Sequence, residues 1–121
     1  MQNAAQAYGA VAKQIANPRE LEANLLLKAA SRLQAVHDSW DREQPNLDEA
    51  LLYNRKLWSI FLTAVTEAEH PLPVAIRQNV ANLGIFVMNQ TVAMMQKPIR
   101  DGVGSLISIN RELAAGLLGR A

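Results

Sequence analysis

The side chains that could carry catalysis or hold a metal are few: two histidines, eleven carboxylates and no cysteine in 121 residues. His37 has Asp38 and Asp41 near it in sequence. A zinc site needs three or four convergent donors, and the two histidines form no HxxxH pair. His37 is expected to be a solvated or hydrogen-bonded histidine, and His70, in the run His70-Pro71-Leu72-Pro73, belongs to a loop. The carboxylates stand as close neighbours, Glu20 with Glu22, Asp38 with Asp41 and Glu43, and Glu67 with Glu69. Acid/base catalysis needs two carboxyls in differently buried surroundings facing one pocket, and these runs read instead as solvated helix faces. Gly102-Val103-Gly104-Ser105 follows a proline-terminated segment rather than a strand and lacks the lysine and spacing of a phosphate loop. No enzymatic activity, cofactor or metal is expected.

Two polar insertions break otherwise apolar patterns. Asn54-Arg55 stands one turn before Trp58 in LLYNRKLW, and Asn110-Arg111 interrupts LISINRELAAGL on the seam of Val103, Leu106 and Leu113. An asparagine on such a seam fixes register at a cost in stability, with its arginine neighbour pointing outward. The other reading makes Asn54, Arg55, Asn110 and Arg111 polar contacts to a partner protein.

The longest departure from ordinary patterning is QNVANLGIFVMNQTVAMMQ, nineteen residues from Gln78 to Gln96 without a formal charge. A membrane span needs about 20 predominantly apolar residues. Here 11 of 19 are apolar and six are side-chain amides, so the segment is not a span and no membrane partner is expected. A soluble helix so poor in charge must have most of its circumference covered. At 100° per residue it carries two apolar stripes. Val80, Leu83, Val87 and Met94 are expected to face the bundle, while Ile85, Met88, Val92 and Met95 are expected to face a partner. The thioethers of Met88 and Met95 suit an adaptable contact surface.

These residues must be positioned by helices, since no segment alternates with period two. Asn17-Pro18-Arg19-Glu20 reads as a helix start capped by Asn17. The helix is expected to run to about Glu43, about 39 Å long, with Leu26, Ala30, Leu33, Val36 and Trp40 on one face. Asn46-Leu47-Asp48-Glu49 repeats the start signal for a helix faced by Leu47, Leu51, Leu57, Trp58, Phe61, Leu62 and Val65, ending at the prolines around His70. Pro73 opens the charge-poor helix and Pro98 closes it; Val103, Leu106, Ile107, Leu113, Leu117 and Leu118 pattern another, and Ala-rich residues 3–16 a short first one. The expected fold is all-α, a small bundle of about five helices, two or three of them long and antiparallel, in a single domain over residues 1–121.

Twelve basic against eleven acidic residues supply no overall field for nucleic acid. The five cations after residue 70, Arg77, Lys97, Arg100, Arg111 and Arg120, are scattered, which argues against direct nucleic-acid binding. The start MQNAAQAYGA has no basic region followed by an apolar one, and cysteine is absent, so a cytoplasmic protein is expected.

Taken together, LLYNRKLW, the LPVAIRQNVANLGIFV segment after the proline turn and the closing LISINRELAAGL resemble the FlaF family of flagellar biosynthesis regulators, over nearly the whole chain from Ala7-Tyr8 to Gly116-Leu117. The resemblance implies a non-enzymatic cytoplasmic protein that binds flagellin as a secretion chaperone. It also implies promotion of flagellin production after transcription, in opposition to the translational repressor FlbT. Flagellin is the implied partner, direct contact with FlbT and a homodimer stay open, and the alternative is a direct RNA-binding regulator of flagellin mRNA translation.

Overall fold

A computed structural model describes residues 18–67 and 73–119. Among them the chain is all-helical: α1 (Pro18–Asp38), the single turn α2 (Trp40–Glu43), a 3-10 turn (Gln44–Asn46), α3 (Leu47–Val65), α4 (Val74–Gln96) and α5 (Arg100–Leu117). Four helices are therefore long, against the two or three expected, and the expected helix over residues 3–16 lies outside the described residues, as does Asn17, the expected cap of α1.

The long helices form an up-down-up-down bundle, fixed by which residues meet. His37 and Leu26 of α1 lie against Arg100 and Asn110 of α5, and Arg32 of α1 covers the Tyr53 ring of α3 at 4.1 Å. Arg77 of α4 reaches the end of α3, and Gln90 of α4 reaches Gly102 of α5. Each neighbouring pair thus runs antiparallel, as short connections require. The core between them is Leu26, Ala29, Leu33, Leu47, Leu51, Trp58, Val87, Val103 and Leu106, all buried.

The expected continuous helix to Glu43 breaks at Ser39, whose φ of −120° and ψ of 46° leave the helical region. The His37 carbonyl is taken by the Arg100 Nε–H at 2.9 Å, so a side chain of α5 satisfies one of the orphan acceptors at the end of α1. A new turn starts at the Ser39 carbonyl, which accepts from Glu43 N at 2.7 Å. At 21 residues α1 is about 32 Å long rather than 39 Å. Asn46 precedes α3 without making a side-chain cap; its amide is bonded to the Glu43 carboxylate instead. Pro73 does open α4, and Lys97, extended at φ −143° before Pro98, closes it. Gly102-Val103-Gly104-Ser105 lies inside the first turns of α5, which begins three residues earlier than its apolar pattern suggested.

Candidate partner-binding face

α4 is held by one narrow stripe. Val80, Gly84, Val87, Thr91 and Met94 are buried, spaced four, three, four and three residues apart. The spacing is that of a helix seam, but two members escape a search for large apolar side chains. Gly84 lets Leu62 of α3 come so close that any Cβ would collide with it. Thr91 is fully buried because its hydroxyl donates to the Val87 carbonyl at 2.7 Å, leaving its methyl to pack. Toward α5, the Gln90 Nε2–H donates to the Gly102 carbonyl at 3.2 Å. At its start, Arg77 Nη1 donates to the Glu67 carbonyl at 2.7 Å, tying α4 to the end of α3.

Leu83, expected to face the bundle, is 37% exposed, because the seam passes through Gly84 beside it. Of the expected outer stripe, Ile85 is 59% and Val92 47% exposed, whereas Met88 and Met95 are half-buried against the core and offer only part of their surface. Phe86, which the sequence reading left unassigned, is 47% exposed. Its signal was available: it lies at the angle opposite the seam, beside Ile85. The outer side of α4 therefore presents Ile85, Phe86 and Val92 among the amides Gln78, Asn82, Asn89 and Gln96, with no charged group along it.

The other candidates separate. Arg55 and Arg111 are exposed, but Asn54 and Asn110 are fully buried and are not contact surface. They form a hydrogen-bonded chain through the bundle centre. Trp58 Nε1–H donates to Asn110 Oδ1 at 3.0 Å, and Asn110 Nδ2 donates to Asn54 Oδ1 at 2.7 Å and to the Leu26 carbonyl at 3.4 Å. The indole can only donate, so it fixes the orientation of Asn110 and through it that of Asn54. Asn54 Nδ2 is left buried with no partner. The sequence reading placed Trp58 on an apolar face and missed its polar role; an asparagine one turn earlier on the same seam was the clue.

Around His37 the chemistry is that of a surface. The Asp38 carboxylate accepts from Gln34 at 2.7 Å and lies 3.4 Å from His37 Nδ1. These hydrogen bonds, that from Gln34 foremost, hold its pKa below the ordinary carboxylate value. Among the described residues no three histidines or carboxylates converge on a point that could hold a metal, and no helix is long and apolar enough to cross a membrane.

The model of the flagellar protein FlaF family matches residues 4–117. No curated protein and no solved structure matches the chain.

Proposed function

The chain belongs to the FlaF family of flagellar proteins, and from that premise we propose that it works without catalysis, as a cytoplasmic chaperone that holds flagellin before export. By holding flagellin it promotes flagellin production after transcription, in opposition to FlbT. The observation that carries this reading is the outer side of α4, where large apolar side chains stand exposed with no charge for nineteen residues. Exposed apolar surface of this kind marks a contact for a protein partner, and an amphipathic helix laid along it is the natural mode of capture. Ile85 and Val92 supply the main contact, with the accessible parts of Met88 and Met95 beside them. Arg55 and Arg111 are the polar candidates that remain on the surface.

Two of the cations that an RNA-binding reading would need are already committed to backbone carbonyls, Arg77 to Glu67 and Arg100 to His37. That supports protein capture over contact with flagellin mRNA. The test is co-purification of the full chain with flagellin and, separately, with FlbT, the stoichiometry read by native mass spectrometry. A complex with flagellin that Ile85→Lys weakens at least tenfold is expected, with the helical circular dichroism retained. A stable complex with neither protein would leave only an indirect regulatory role, and nanomolar, sequence-selective RNA binding in about 150 mM salt would replace the chaperone reading.

A further inference from the structure

Two glycines on one flank of α5 have opposite surroundings. Gly102, Ile109 and Gly116 stand seven residues apart and so share a face. At Gly102, α4 is pressed so close that a Cβ would collide with Met94 and Gln90, whereas a Cβ at Gly116 would meet nothing within 4 Å. The matching flank of α4 carries Ile76, Leu83 and Gln90, again seven residues apart. Gln90 donates to the Gly102 carbonyl, yet Ile76 and Leu83, turned toward α5 with it, stand exposed. α4 and α5 therefore touch at one end of the pair and part toward the other.

Gln90 and Met94 both reach Gly102, so counting back along α4 and forward along α5 sets Leu83 level with Ile109 and Leu113, and Ile76 level with Leu117. Those three side chains of α5 are half-buried. The gap is thus lined by apolar side chains from both helices. The other flank of α4 is tied elsewhere. Arg77 Nη1 donates to the Glu67 carbonyl at 2.7 Å and lies 3.5 Å from that of Val65, which draws the start of α4 toward α3 and away from α5. Among the described residues no hydrogen bond joins the first half of α4 to α5. Between the tied half and the Gly102 contact lies Gly84, the one glycine of α4, where a helix bends most readily.

We propose that residues 74–83 are an arm that swings on Gly84, held open by Arg77 and closing on Ile109, Leu113 and Leu117 when that tie is released. The open arrangement keeps the hydrogen bonds of Arg77 and leaves Ile76 and Leu83 in water. The closed one gives up those bonds and buries the apolar flank. Neither keeps both, and that trade makes the arm a two-state element. The tie itself is imperfect, because the Arg77 Nε–H is buried without a partner among the described residues. Closed, the protein hides the apolar flank; open, it presents it. The arm does not rest on the flagellin reading, and its test contains no flagellin.

The chain has no cysteine, so two introduced ones carry the only labels. Asn79→Cys and Gly116→Cys, both at exposed positions on the facing flanks, are spin-labelled in the full chain and their separation is read by pulsed electron resonance. Gln96→Cys with Ser105→Cys, exposed positions at the touching end, is the control pair. Arg77→Gln should shorten the distance between labels 79 and 116 by about 5 Å or more, since packed helices stand only about 8–10 Å apart axis to axis. The control pair should not move. Adding Leu83→Lys should restore the long distance, because closure would bury an unpaired ammonium. An unchanged distance in Arg77→Gln, a shortening that survives Leu83→Lys, or an equal shift in the control pair overturns the arm. Arg77→Met, which keeps the stem and loses the donors, is measured beside it. Loss of the helical circular dichroism in both Arg77 variants also overturns the proposal, because Arg77 would then support the fold rather than latch the arm.

Discussion

The centre of the bundle and the outer line of α4 use asparagine to opposite ends. Asn54 and Asn110 are fully buried, and Asn110 spends both amide hydrogens and its oxygen on Asn54, Leu26 and Trp58. Asn82 and Asn89 are exposed, and Asn82 meets only Gln78 of its own helix, at 3.3 Å. On a helical wheel all four stand among apolar residues. What separates them is the neighbour: α3 brings Asn54 and the Trp58 indole, and α5 brings Asn110, to the same point, whereas among the described residues nothing faces the outside of α4. Periodicity locates an amide on a seam, and only the opposing element decides whether that seam is closed.

The largest effect that can break this comparison is a charge placed on either side of α4. Val87 is fully buried, so Val87→Lys places an unpaired ammonium in the core and should unfold a domain whose whole stability is about 5–15 kcal/mol. Leu83, one turn earlier, is 37% exposed, and a lysine there can run its stem along the apolar surface with its head in water. Leu83→Lys should cost below about 1 kcal/mol. Thermal melts followed by circular dichroism decide it, and unfolding of both variants would mean that α4 is enclosed on both flanks.

The central chain of amides predicts an unequal pair. Asn110→Leu strands the Trp58 indole N–H and the Asn54 oxygen together, and at about 1–3 kcal/mol for each buried unsatisfied group the loss should be about 2–4 kcal/mol. Asn54→Leu removes an amide donor that is already without a partner but strands the one amide hydrogen that Asn110 gives to Asn54 Oδ1, while Asn110 keeps its bonds to Trp58 and Leu26. One stranded group against two, offset by the orphan donor removed, should cost about 1 kcal/mol. Urea midpoints at unchanged m-value measure both, and equal losses would show that the network is not ordered around the indole.

Much of this was legible in the sequence. The prolines at 73 and 98 bound α4, and the apolar faces of α3 and α5 turn inward where their periods place them, with Leu62, Leu113, Leu117 and Leu118 half-buried. The absence of charge from Gln78 to Gln96 pointed to the outer side of α4 before any geometry was known. Three things were not legible, each for a physical reason. The break at Ser39 depends on Arg100, 63 residues from the carbonyl it satisfies. The seam of α4 runs through Gly84 and Thr91, which no hydropathy ranking puts inside; one is admitted by a close Leu62, the other by a hydrogen bond along its own helix. Asn54 and Asn110 could be interior or interface on spacing alone, because the indole that settles the matter lies on an adjacent turn and reads as an ordinary apolar residue.

A smaller effect sharpens the contrast between the closed seam and open surface. Gly84→Ala gains about 1 kcal/mol of helix propensity but drives a methyl into Leu62, and overpacking of about 1–3 kcal/mol should make the net change destabilising by about 1 kcal/mol. Gly116→Ala on α5 meets nothing within 4 Å and should stabilise by about 0.5 kcal/mol. Opposite signs in urea unfolding are the expected outcome, and a stabilised Gly84→Ala would mean that Leu62 can swing aside.

The smallest effect belongs to a polar cluster on open surface, where no unmet hydrogen bond is trapped. Asp38 accepts from Gln34 and lies beside His37, and these contacts lower its folded-state pKa. A lowered pKa means that the folded chain favours the carboxylate more than the unfolded chain does. The resulting stability is therefore present above the unfolded-state value and is lost as pH falls through the folded one. It does not change between pH 8 and pH 5, since the carboxylate stays ionised in both states. Because Asp38 is exposed, water screens most of the interaction, and Asp38→Ala should shift the urea midpoint only slightly at pH 7. The gap between the variant and the original chain should then close on acidification below about pH 4. A gap that widened in acid would mean that the carboxylic acid, not the carboxylate, is the form the fold prefers, and that Gln34 is not its principal partner.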